Sequence, residues 1–133
     1  MDAGEKLGKI VIPGTVIAMR GGLGAGKTTF AKGFAKGLVI DEYITSPSYT
    51  LIREYQGRLP FYHMDAYRLA GEEDFRSIGA EEFMYARGVC LIEWSERVES
   101  ALPPGCARVT IQALDNGERK ITIEDPLLET IGT

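Results

Sequence analysis

Thr15-Val16-Ile17-Ala18-Met19 is a short, apolar, β-branched run, and one residue later it meets Gly21-Gly22-Leu23-Gly24-Ala25-Gly26-Lys27-Thr28. Beyond that segment Phe30, Ala31, Phe34, Ala35 and Leu38 recur at helical spacing. A buried strand, a glycine-rich turn and an amphipathic helix in this order form the unit that opens a parallel α/β sheet. The turn fits the pattern Gly, four residues, Gly-Lys-Ser/Thr. Glycine has a chemical reason to be there, since a backbone that closes on phosphate oxygens with several N–H groups leaves no room for side chains. The helix adds its unpaired N-terminal donors and positive dipole end. On this reading Gly22, Leu23, Gly24, Ala25, Gly26, Lys27 and Thr28 bind a nucleotide. Lys27 supplies charge near the β- and γ-phosphates, and Thr28 places a hydroxyl on Mg²⁺. The bland alternative is a flexible loop that merely joins strand to helix.

The 133 residues have room for one domain, 1–133. No apolar run is long enough to cross a bilayer, and the N-terminus lacks the basic segment and apolar core of a secretory signal. A cytoplasmic setting is the expectation, which the two cysteines Cys90 and Cys106 suit. Cys90 lies within an apolar run and reads as a small core residue. A net charge of −4 argues against autonomous binding to long nucleic acid.

Residues 1–13 read as a short, partly helical lead-in. The strand covers 15–20, and the turn and helix 21–38. A polar connector, Asp41 to Ser48, is followed by strand-like 49–55, a turn at Gln56-Gly57-Arg58 and a second strand from Leu59 to Met64, which together read as a hairpin. Short helices fill Asp65 to Met84, with Glu72, Glu73 and Asp74 suiting a helix start. Val89-Cys90-Leu91-Ile92 has the continuous apolar character of a central strand covered on both faces. Ser95 is placed to cap a short helix running to about Leu102. In the tail Val109 and Ile111 alternate, and Ile121 and Ile123 match them after Asp115-Asn116-Gly117, a hairpin signal. The expected fold is α/β of the P-loop NTPase type. It has three layers and a mixed sheet, with a parallel core and antiparallel strands at the C-terminal end.

Phosphoryl transfer also needs metal support and a group that orients the attacking water. Glu93, which closes the 89–92 run, stands where a metal-supporting acid belongs; as an alternative it is an exposed strand-end acid. Asp65, in His63-Met64-Asp65-Ala66-Tyr67-Arg68, is a second candidate, with a helix-capping role as its alternative. His63 is either an orienting hydrogen-bond partner or a packed imidazole. Arg68 either meets phosphate or a partner, or pairs with Glu72 at helical spacing. Trp94 reads as a core-edge residue that could also border the nucleotide.

Taken together, Leu23-Gly24-Ala25-Gly26-Lys27-Thr28-Thr29-Phe30, Thr45-Ser46-Pro47-Ser48-Tyr49-Thr50-Leu51, His63-Met64-Asp65-Ala66-Tyr67-Arg68-Leu69 and Cys90-Leu91-Ile92-Glu93-Trp94 resemble the TsaE (YjeE) family. These are bacterial P-loop ATPases of tRNA threonylcarbamoyladenosine synthesis, and the resemblance runs from about Gly14 to Ile123. It implies that Lys27 contacts the phosphates, Thr28 and Glu93 hold Mg²⁺, and Thr29 bonds a more distal phosphate oxygen. It implies further that Thr45 to Ser48 acts as a nucleotide-sensing switch and that Asp65 is linked to hydrolysis. The implied cofactors are ATP and Mg²⁺. The implied partners are the TsaB and TsaD proteins, with tRNA reached only through their complex. Slow turnover alone and stimulation by partners are expected.

The chain departs from the family pattern at Gly22, where many members carry an acid, and at Ser48, where Thr is common. Its lead-in is also short for the family. Two other readings remain at this point. One is a nucleotide-gated interaction module that needs no hydrolysis. The other is a small-molecule kinase, for which no lid-sized segment is visible. A guanine-reading Asn-Lys-x-Asp motif is absent, which argues against a GTPase.

Overall fold

The structure is a computed structural model that describes residues 2–21, 27–42, 44, 52–66, 72–84, 87–103 and 105–124. In chain order the elements are α1 (Asp2–Ile10), β1 (Val16–Arg20), α2 (Lys27–Gly37), β2 (Ile52–Gln56), β3 (Pro60–Asp65), α3 (Glu72–Ser77), α4 (Ala80–Met84) and β4 (Val89–Glu93). A 3₁₀ segment (Ser95–Ala101), β5 (Ala107–Ala113) and β6 (Arg119–Glu124) complete it. The six strands form one sheet in the order β2-β3-β4-β1-β5-β6. Strands β3, β4, β1 and β5 run parallel, while β2 and β6 are antiparallel additions at the two edges. The expected parallel core and C-terminal antiparallel hairpin are present, and the earlier expected hairpin is the antiparallel pair β2–β3 at the other edge.

Burial explains this order. All five residues of β4 are buried, as are the first four of β1, because helices cover both faces at the sheet centre. On one face Ile17, Met19, Phe61, Leu91, Val109 and Ile111 meet α1 and α2 through Leu7, Phe30, Phe34 and Leu38. On the other, Val16, Met64, Cys90 and Ile92 meet Phe75, Ala80, Met84 and Val98. The helical spacing read at Phe30, Ala31, Phe34, Ala35 and Leu38 is the buried stripe of α2. The lead-in proves to be a regular helix over nine residues. It packs tightly on α2: a Cβ on Gly8 would stand 2.2 Å from the Phe34 carbonyl oxygen, and one on Gly37 would stand 2.3 Å from that of Glu5. Those glycines let the two backbones approach, and they also weakened the helical signal in the sequence.

The tail hairpin pairs Val109 with Ile123 and Ile111 with Ile121. Its turn is longer than a two-residue loop. Gly117 N–H donates to Leu114 O, Leu114 N–H donates to Glu118 O, and Gly117 takes φ 85° while Asn116 does not turn left-handed. Glycine therefore supplies the single left-handed residue that a three-residue hairpin loop needs.

Candidate functional site

In a sheet of this topology the connections leaving the centre depart to opposite sides, and a crevice opens beyond the carboxyl ends of the strands. Here β1 leads through α2 toward β3 on one side, and β4 leads through the 3₁₀ segment to β5 on the other. The register sets the acids at that end. Asp65 pairs with Glu93 and Glu93 with Met19, so one row crosses the tips of β3, β4 and β1. Parallel pairing puts the row's side chains on one face. That face is the one covered by α1 and α2, since Ile17, Leu91 and Phe61 of the same alternation pack there. Asp65 is the last residue of β3 itself and half-buried, so the structure places it at a strand tip.

Lys27 opens α2 and is buried. Its Nζ donates to Gly21 O at 2.5 Å and lies 3.7 Å from the centre of the Trp94 ring. Burial lowers the Lys27 pKa below its ordinary value, and the charges of Glu93, Glu96 and Asp65 push back toward the ammonium form. These three carboxylates lie near enough for their charge to be felt there. The first turn of α2 carries no acid, so its positive end is not neutralised by a side chain of that turn.

Glu93 is almost completely buried, and its Oε2 shares a hydrogen bond with Nε2 of fully buried His63. The reading of Glu93 as an exposed strand-end acid is thereby corrected: β4 is central, and its last side chain points into the core side of the crevice. His63 is a packed imidazole, its ring stacking on Phe61 at 5.7 Å between centroids, and it also bonds Glu93. Trp94 follows in left-handed backbone, φ 60° and ψ 40°. A non-glycine residue there costs about 1–3 kcal/mol and persists where its surroundings over-determine it. The chain turns sharply at this point from β4 into the 3₁₀ segment, and the turn brings the Trp94 ring under Lys27. No sequence signal announced that bend.

Ser95 does not cap the segment. Trp94 occupies the cap position and its side chain makes no capping hydrogen bond, and the Ser95 hydroxyl is buried with no partner among the described residues. Gly22, Leu23, Gly24, Ala25, Gly26, the Thr28 side chain, the 45–48 segment and Arg68 lie outside the described residues. Thr29 is in the first turn of α2 and exposed.

No group of three or more His, Cys, Asp or Glu side chains able to hold a metal occurs among the described residues. Mg²⁺ does not need one. It takes one or two carboxylates, keeps several waters and completes its shell with substrate phosphates. Glu93 and Asp65, hard oxygen donors in register on adjacent strands, fit that ion.

These features define a class: the three-layer α/β domain of P-loop type, with a glycine-rich segment between its central strand and α2. The model of a family described as threonylcarbamoyl adenosine biosynthesis protein TsaE matches residues 1–121. The chain is 51% identical over 120 residues to the tRNA threonylcarbamoyladenosine biosynthesis protein TsaE of Treponema pallidum, across 90% of this chain and 89% of that protein. It is 46% identical over 111 residues to the protein of that name from Bacillus subtilis, across 83% of this chain and 69% of that one. The crystal structure of Bacillus subtilis YdiB superposes with a TM-score of 0.83 at 38% identity, covering 98% of this chain and 86% of that chain. The chain belongs to the TsaE family.

Proposed function

We propose that this protein is a Mg²⁺-dependent ATPase that serves tRNA threonylcarbamoyladenosine biosynthesis by resetting or driving the TsaB–TsaD transferase. The observation that carries the reading is the placement of Lys27. An ammonium group opens a helix that has no acid in its first turn, stands beyond the central strand, and faces carboxylates from two neighbouring strands.

The chemistry follows from that arrangement. An arriving triphosphate offers Lys27 a stronger acceptor than the Gly21 carbonyl, so the ammonium transfers its hydrogen bond to phosphate oxygen. Among Lys27, Glu93, Glu96 and Asp65 negative charge exceeds positive, and a polyanion entering there needs a divalent cation to offset the excess. Glu93 would hold that cation together with the Thr28 hydroxyl. Held there, Mg²⁺ would supply charge neutralisation for the nucleotide phosphates. Asp65, one strand away, would orient the attacking water and accept its proton as the water oxygen bonds the γ-phosphorus and ADP leaves. Groups in TsaB and TsaD completing the γ-phosphate site would explain slow turnover alone.

Trp94 is the sole tryptophan, so its fluorescence reports this site without ambiguity. Titration with ATP and ADP is expected to change the emission as Lys27 leaves the ring, and Lys27→Ala is expected to abolish the response. Asp65→Asn should retain ATP binding and lose multi-turnover tRNA modification in the presence of TsaB and TsaD. Full modification by Asp65→Asn would leave only the nucleotide-gated module.

A further inference from the structure

The imidazole of His63 is completely buried and fills two contacts at once. One flank stacks on Phe61 with the ring planes 15° apart. The Nε2 edge meets Oε2 of Glu93. Register explains why: His63 pairs with Leu91 and Asp65 with Glu93, so His63, Asp65 and Glu93 share one face and His63 lies one step inward of the acid row. With the Glu93 carboxylate as acceptor, Nε2 is the donor of that bond. Nδ1 then has no partner among the described residues. A ring kept for packing alone gains nothing from that arrangement, because an aromatic hydrocarbon would stack on Phe61 without burying an unpaired nitrogen. Glu93 makes this single side-chain hydrogen bond among the described residues, which leaves Oε1 as the oxygen for a ligand.

We infer that His63 is a positioning residue for Glu93: its Nε2–H ties down Oε2, holds the carboxylate in one rotamer, and so aims Oε1 at the Mg²⁺ of a bound magnesium nucleotide. The inference rests on the proposed nucleotide site and assigns the orientation of its metal-supporting acid. A glutamate carries three rotatable side-chain bonds, and fixing them before the cation arrives removes an ordering cost from cation binding. Partners that orient a metal-holding side chain are worth about 10- to 100-fold in metal affinity.

The test compares wild-type protein with His63→Phe, which keeps the stacking and removes the donor, and His63→Gln, whose Nε2 can donate in place of the imidazole. Calorimetry measures ADP binding in EDTA, and then the Mg²⁺ concentration that half-saturates the ADP-bound protein. His63→Phe is expected to bind ADP in EDTA within about twofold of wild type while its Mg²⁺ half-saturation rises about 10- to 100-fold. His63→Gln is expected to recover most of that loss. Wild-type Mg²⁺ half-saturation in His63→Phe overturns the inference and leaves the nucleotide site standing. A wild-type protein that binds no ADP with or without Mg²⁺ overturns the site and the inference together. A second measurement needs no variant and decides the matter if His63→Phe fails to fold. His63 is the only histidine, so its ring ¹⁵N signals are unique. They should show the proton on Nε2, and the Nε2 signal should move when Mg²⁺ joins the ADP-bound protein. A ring protonated on Nδ1 instead, or a signal that Mg²⁺ leaves in place, overturns the inference.

Discussion

Cys90 and Lys27 show how burial acts on single residues of opposite kinds. Both are taken out of water, and in both the neutral form gains. For Lys27 the nearby acids resist the change, and the group stays suited to a polyanion. For Cys90 nothing resists it; its thiol donates to Phe83 O and burial pushes its pKa from 9.0 up to about 12. That thiol is inert, which bears out its reading as a core residue. It also has a measurable consequence. Between pH 9.0 and about 12 the folded thiol keeps a proton that the unfolded chain has released, so stability falls as pH rises. Urea unfolding at a series of alkaline pH values should show wild-type stability declining relative to Cys90→Ala by about 1.4 kcal/mol per pH unit. Parallel curves for the two proteins would contradict a buried, raised thiol. Burial, then Glu54 and the Cys90 thiolate, also raise the Tyr62 phenol, so removing Cys90 relieves part of that shift as well and the comparison reads the two coupled groups together.

At the scale of elements, α1 and α2 carry the clearest tests. The end of α2 is closed by Val39 N–H donating to Lys36 O and Ile40 N–H to Ala35 O, with Val39 at φ 60°. That is the Schellman arrangement, in which glycine ordinarily occupies the left-handed position. Here a β-branched residue does so, with its side chain exposed. Val39→Gly should stabilise the protein by about 1 kcal/mol in chemical denaturation, since left-handed backbone burdens a non-glycine residue by roughly that much. A loss of stability would mean the valine side chain contributes something its exposure does not reveal. The interface between α1 and α2 makes the opposite prediction. Gly8→Ala would press a Cβ against the Phe34 carbonyl and the Gly37 backbone, neither of which can yield like a flexible side chain. Destabilisation of about 1–3 kcal/mol is expected, the usual penalty for overpacking. A neutral substitution would show that the helices separate at no cost.

For the whole molecule the sheet order predicts a gradient of stability. Strands β1 and β4 are flanked on both sides and covered on both faces, whereas β2 and β6 are edges. Native-state hydrogen exchange should find the slowest amides in β4 and β1 and the fastest strand amides in β2 and β6, because edge strands open without unfolding the core. Protection at Ile121 and Ile123 equal to that at Leu91 and Ile92 would contradict this order. The site straddles the gradient: Glu93 ends the most enclosed strand and Lys27 opens a helix packed on it. The groups of the proposed nucleotide site are thus carried on rigid elements, as a preorganised site requires.

Much of this was legible in the chain because the signals are local. Apolar continuity at Val89 to Ile92 marks a strand with two covered faces, and helical spacing from Phe30 to Leu38 marks the buried stripe of α2. The alternation of Val109, Ile111, Ile121 and Ile123 specifies the register of the final hairpin, since a one-residue slip of β6 would carry Ile121 and Ile123 to the opposite face from Val109 and Ile111. Four motifs in order were enough to indicate the family that residues 1–121 match. Where contacts join distant parts of the chain, pattern fell silent. The regularity of α1 depends on glycines that suit a neighbouring backbone, not on helix propensity. The bond from His63 to Glu93, thirty positions apart, exists because β3 and β4 pair in one parallel register. The left-handed bend at Trp94 that slides an indole beneath Lys27 comes from the sharp exit of a buried strand. Side-chain type and spacing therefore determined the elements, the order of the motifs and the residues of the proposed nucleotide site. Only the folded sheet, by deciding which strand tips stand side by side, decided how those residues face one another.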